Sequence, residues 1–190
     1  MPTFRIGHPP QVDLPVRESW ECIKVLEHKQ ILCSIGIGVT AAIAMAIIWI
    51  YLYPESLSFG SPSWNEFFIS TAVLTFGHEI LHLFGLPKAG FGSSTTFGIW
   101  PKLCSPYVQH TVPMSRDRFI LAAALPFLVL TIVPLLLAEY KAYIDYLSWI
   151  SVLNSIGAGH DLLLCFVAVF NLPAKAQVLE SDKFIYWKYN

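Results

Sequence analysis

Charge is scarce in this sequence. Asp, Glu, Lys and Arg make up 13% of its 190 residues, about half the share near 25% usual in soluble domains. The formal net charge is -1, and no basic stripe or aromatic-basic cluster is present. That excludes a nucleic-acid partner. Cysteine is sparse as well. The four residues Cys22, Cys33, Cys104 and Cys165 are scattered without a CxxC pair. Cys33 and Cys165 fall in apolar runs and read as small buried side chains. The stretch 1–30 is polar and lacks the apolar core and small-residue cleavage site of a signal peptide. Membrane insertion is therefore expected to use an internal span. There is no internal repeat and no low-complexity tract.

What is abundant is apolar surface, at 55% of the residues. Four apolar segments reach the length of about 20 residues that a bilayer requires. They run over about 31–53, 65–86, 119–138 and 146–172. The loop charges orient them. Arg5, Arg17, Lys24 and Lys29 precede the first span, and 54–64 has no Lys or Arg. Lys88, Lys102, Arg116 and Arg118 lie between the second and third, only Lys141 follows the third, and Lys175, Lys183 and Lys188 follow the fourth. The positive-inside rule then places both termini and the loop 87–117 in the cytosol. The loop's Phe91 to Trp100 run brackets Thr and aromatic residues between glycines, a β-hairpin-like composition. Backbone of that kind belongs at the cytosolic mouth of the bundle. The expected fold is an all-α polytopic membrane protein: a cytosolic segment 1–30, a four-helix domain 31–172 with its cytosolic loop 87–117, and a cytosolic tail 173–190. The tail, with Gln177-Val178-Leu179 and Phe184-Ile185-Tyr186-Trp187, has weak strand character and is expected to be interfacial.

Inside the second span stands His78-Glu79-Ile80-Leu81-His82, an HExxH motif. Histidines four apart share a helix face and can hold one Zn2+ ion, and the glutamate beside the first can act as general base on a water activated there. An ionisable residue at the centre of a membrane helix costs about 2.5–3.5 kcal/mol on insertion scales. A functional site is the usual reason such a cost is tolerated. His8, His28 and His110 lie outside the spans and read as surface residues, with His110 able to approach the site through the loop.

A catalytic zinc site needs a third protein ligand and an open position. The polar centre of the fourth span, Asn154-Ser155-Ile156-Gly157-Ala158-Gly159-His160-Asp161, offers two. Adjacent helical residues point about 100° apart, so only one of His160 and Asp161 faces the metal. Asp161 lies roughly 16 Å from its cytosolic helix end and His82 roughly 6 Å from its own at 1.5 Å per residue. Tilt or unwinding at Gly157-Ala158-Gly159 would close that gap. Asn154 is two turns before Asp161 on nearly the same face. Its carboxamide can donate to the oxyanion of a tetrahedral intermediate or make an interhelical hydrogen bond.

The chain resembles the putative zincin peptidase family of small bacterial membrane proteins. The resemblance rests on His78 to His82, on Asn154 to Asp161, and on Leu172-Pro173-Ala174-Lys175-Ala176-Gln177-Val178. The order of motifs also resembles the site-2 protease plan, without its proline-rich Asp-Gly signature: glycines precede Asp161 and Leu162 follows it. The resemblance implies His78, His82 and Asp161 as zinc ligands and Glu79 as the base, with His160 the competing ligand.

The expected function is an intramembrane zinc metalloprotease, integral to a bacterial cytoplasmic membrane, that hydrolyses membrane-embedded or membrane-proximal peptides entering from the cytosol. An extended substrate is expected to add as a strand to the 91–100 region. The alternative is a non-proteolytic zinc-binding membrane chaperone, sensor or transport protein.

Overall fold

A computed structural model describes residues 1–10, 20–24, 29–57, 64–102, 105–181 and 184–189. Long apolar runs form the helices. Helix α1 spans Gln30–Leu52 and α2 spans Trp64–Gly85. Their threonine hydroxyls stay within the helix: Thr40 donates to the Gly36 carbonyl at 2.8 Å and Thr71 to that of Phe67 at 2.8 Å. That pattern satisfies a polar group on an apolar face. Helix α3, Arg116–Phe127, is capped by Ser115, whose Oγ accepts from the Arg118 N–H. It carries Pro126 and runs through a π-helical turn, Leu128–Ile132, into α4, Val133–Leu136. Helices α5, Ile144–Gly157, and α6, Gly159–Asn171, meet at a 57° bend.

Three helical stretches are long and apolar enough to cross a membrane: Gln30–Leu52, Phe67–Gly85 and Arg116–Leu136. The bent pair makes a fourth if it counts as one span. The bundle is apolar outside and polar within. Ile35, Ile43, Ile47, Phe68, Phe76, Phe166 and Phe170 are exposed, whereas Thr131, Ser148, Ser151, Asn154, Ser155 and Asp161 are buried. Helix α1 packs on α5 and α6, and α2 packs on α3. A Cβ on Gly159 would collide with the backbone of Ser34 and Gly38, so α1 lies directly against the bend between α5 and α6. Small residues allow so close an approach of helix backbones. At one end Arg116 donates to the Leu172 carbonyl at 3.0 Å and Arg118 to that of Leu86 at 2.9 Å. The start of α3 is thereby tied to the last turns of α2 and α6.

The all-α class expected from sequence is corrected: the fold is mixed α/β. The described residues hold seven strands in two sheets. Strands β1 (Thr3–Ile6), β3 (Thr95–Trp100) and β4 (Ser105–His110) form one, in the order β1-β3-β4. Strands β2 (Glu21–Lys24), β5 (Met114–Ser115), β6 (Ala176–Ser181) and β7 (Phe184–Tyr189) form the other, in the order β2-β7-β6-β5. The strands are short, and β1, β2 and β5 find their partners far along the chain. Thr3 pairs with Thr96 and Glu21 with Trp187. Such non-local pairing leaves no turn signal between partners, and runs of this length give little period-2 pattern. The core of the second sheet is Val178, Ile185 and Trp187, continuous with Leu164, Ala168 and Leu172 of the helical bundle.

Candidate metal centre

Helix α2 presents His78 and His82 one turn apart on the face turned to α6. The bend between α5 and α6 supplies the third group: Asp161 lies in the first turn of α6 and is 9% exposed. His78 Nε2 stands 2.9 Å from Asp161 Oδ2, and His82 Nε2 stands 3.6 Å from Asp161 Oδ1. Ligating atoms of the three residues all lie within 4.8 Å of one another. Among the described residues this is the one such group. Asp161 stands just after the bend, at the level of the two histidines.

The donor set suits zinc. The other ring nitrogens are held away from the centre: His82 Nδ1 donates to the Ala122 carbonyl at 2.7 Å, and His78 Nδ1 stands 2.9 Å from Asn154 Oδ1. A nitrogen that donates to a carbonyl carries the proton, so in the neutral ring the lone pair of His82 is on Nε2, which faces the centre. Two imidazole nitrogens and one carboxylate oxygen are a three-ligand set of the catalytic kind, with the hydrogen-bonded outer partners such ligands usually have.

Asn154 is 2% exposed and fully engaged. Its Nδ2 donates to the Pro126 carbonyl at 3.1 Å and to Thr131 Oγ1 at 3.0 Å. His160 is outside the trio: its Nδ1 faces Ser34 Oγ at 3.4 Å. Its side chain lines the neighbouring cavity. His8 and His110 also line that cavity, and His110 is 8% exposed rather than a surface residue. Burial holds the His110 imidazole below its ordinary pKa. His28 lies outside the described residues.

The cavity has a volume of about 790 Å³ and opens beside Glu79, His82 and Asp161. Trp100, Glu180 and Phe184 also line it. Burial raises the Glu180 carboxyl above the usual carboxylate range. One side is strand β4, which has no strand partner beyond it among the described residues. Thr111 donates its N–H to the Ser94 carbonyl at 2.8 Å, in register with the β3–β4 pairs. Hydrogen-bonded pairs alternate along an antiparallel ladder. Gln109 and Tyr107 therefore bond inward to β3, while Val108 and His110 turn their backbone groups outward. The Val108 N–H meets the Glu79 carboxylate. Strand β3, expected to receive a substrate, has both edges taken by β1 and β4.

Sequence reasoning missed β4, Ala122, Pro126 and Thr131. The prolines of the third span were visible, and a proline inside a membrane helix signals a carbonyl without its helical partner.

Comparison with known families finds that the family described as putative zincin peptidase matches residues 71–177, more than half the chain. The matched region contains most of α2, all of α3 to α6 and every member of the centre. No curated protein and no solved structure matches the chain.

Proposed function

The chain belongs to the putative zincin peptidase family, and from that premise we propose that it is a zinc-dependent metalloendopeptidase working within a membrane. The convergence of His78, His82 and Asp161 beside Glu79, at the wall of a large cavity, carries the reading. The two histidines and Asp161 would hold zinc, which supplies a Lewis acid for the scissile carbonyl and the attacking water. Glu79 takes the proton of that water and passes it to the leaving amine.

The substrate is an extended peptide from a membrane-embedded or membrane-proximal segment. It adds to the outer edge of β4, where Val108 and His110 offer backbone donors and acceptors beside the centre. Its side chains enter the cavity. The apolar exterior and polar interior of the bundle support a transmembrane placement. Arg116 and Arg118, at the end where α2 and α6 finish, support a cytosolic position for that end. Both termini would share it.

The test is a proteomic comparison of membrane fractions from cells carrying wild type or Glu79→Gln. Fragments present only with wild type, while the variant still binds zinc, support a protease. Identical fragment patterns, with a cellular role intact in the variant, reject it.

A further inference from the structure

Pro126 is wired to both histidines of the centre. A helical residue normally returns its N–H to the carbonyl four positions earlier. Pro126 has no N–H, so the Ala122 carbonyl is left without that partner. This is the carbonyl that receives His82 Nδ1–H at 2.7 Å. The carbonyl of Pro126 itself receives Asn154 Nδ2 at 3.1 Å. A carbonyl has no proton to give, so the amide nitrogen must face it. The amide oxygen must then face His78, 2.9 Å from Nδ1. An amide oxygen only accepts, so His78 Nδ1 carries the proton.

We propose that Pro126 is a positioning residue for the metal centre: its missing N–H fixes His82 through Ala122, and its carbonyl fixes His78 through Asn154. Both rings then hold their proton on Nδ1 and turn Nε2 toward Asp161. Thr131, in the π-helical turn that follows, accepts the second Asn154 amide hydrogen at 3.0 Å and completes the lock. The inference rests on the metallopeptidase reading for its meaning, though not for its geometry.

The two arms are separable. Pro126→Ala restores an N–H that competes with His82 for the Ala122 carbonyl, yet keeps the carbonyl that holds Asn154. Asn154→Leu removes the partner of His78 and leaves His82 untouched. The experiment uses the full chain in detergent, labelled with 15N-histidine, with and without zinc. Wild type is expected to show a protonated Nδ1 on both His78 and His82. Pro126→Ala should alter the His82 signal alone and Asn154→Leu the His78 signal alone. Each should weaken zinc about 10–100-fold in chelator competition, the usual effect of losing such a partner. Asn154→Asp, which keeps an oxygen toward His78, should recover part of that loss. Folded Pro126→Ala protein that binds zinc like wild type, with an unchanged His82 signal, overturns the proposal. Should either variant fail to fold, the wild-type spectrum decides: a proton on Nε2 of either ring in the zinc-loaded chain also overturns it. Wild type that binds no zinc would instead reject the metallopeptidase reading, while the metal-free spectrum still tests the positions of the Nδ1 protons.

Discussion

The backbone of Ala122 occupies the space that a side chain on Gly85 would need. This contact brings α2 against α3 one turn beyond His82, at the carbonyl His82 binds. Gly85→Ala must push the helices apart. Overpacking of this kind costs about 1–3 kcal/mol, and the His82 hydrogen bond stretches with it. The expected result is a lower unfolding temperature and weaker zinc binding. Gly36 is the control, because a Cβ there meets nothing within 4 Å. Gly36→Ala should be neutral or stabilising by about 0.5–1 kcal/mol in a helix interior. Equal behaviour of the two variants in thermal unfolding and chelator competition would show that the close approach does not set the site.

Glu79 lines the cavity beside the centre without belonging to the trio. Glu79→Gln is therefore expected to bind zinc with near wild-type affinity while cleavage falls about 10²–10⁴-fold, the usual contribution of a general base. Metal content by mass spectrometry and turnover of a substrate found by proteomics measure the two separately. Retained turnover would assign the proton transfer to another group.

Asp161 and His160 are neighbours in sequence and differ in surroundings. Asp161 faces both histidines, and His160 faces Ser34 of α1. Asp161→Ala and Asp161→Asn should both lose zinc and activity, since a neutral amide is a poorer ligand than a carboxylate. His160→Ala should keep the metal. Zinc titration of the three variants checks the order. Loss of metal in His160→Ala alone would mean a three-histidine site.

His110 gives a pH dependence outside the centre. Burial keeps its folded pKa below the ordinary 6.5. The native state therefore binds fewer protons than the unfolded chain, and stability rises with pH through this window. The sign is acid-side loss: the contribution is present above the ordinary pKa and disappears as pH falls through it. Wild type should lose more stability than His110→Gln between about pH 7.5 and pH 5.5, a range that brackets the ordinary histidine value. Parallel slopes in chemical unfolding at the two pH values would place the titration elsewhere.

The sequence made parts of this site readable and hid others for definite reasons. His78, Glu79 and His82 are spaced by the helix repeat itself, so local sequence suffices. Asp161 could be named only beside His160, because the two are adjacent on a helix and spacing alone does not say which faces the histidines. Strand character showed in the 91–100 loop and in the tail, where β3, β6 and β7 lie, but β1, β2 and the assembly into two sheets were illegible because those pairings join distant parts of the chain. Glu21 meets Trp187 and Met114 meets Val178 across long separations. The stretch 1–30 read as a featureless cytosolic segment, yet it contains β1 and β2. Asn154 drew attention as a polar residue in a span. Which of its atoms matters depends on Pro126, a residue 28 positions away.

The edge of β4 makes the last prediction, because its two kinds of backbone N–H can be told apart by proline. Val108 turns its N–H outward, toward Glu79 and the cavity, while Gln109 gives its N–H to β3. Proline is tolerated on an edge strand where the missing donor faces away from the ladder, and not where it points inward. Val108→Pro should therefore fold and bind zinc, since neither the ladder nor the trio loses a bond. It should cleave less well, because it removes the N–H that meets the Glu79 carboxylate and that a docking peptide carbonyl would use. One hydrogen bond is worth about 0.5–1.5 kcal/mol net, or roughly 2- to 12-fold in kcat/KM. Gln109→Pro should behave in the opposite way, lowering the unfolding temperature by breaking the β3–β4 ladder. The pair separates docking from folding: if Val108→Pro cleaves like wild type while Gln109→Pro destabilises the chain, the substrate does not bind along β4.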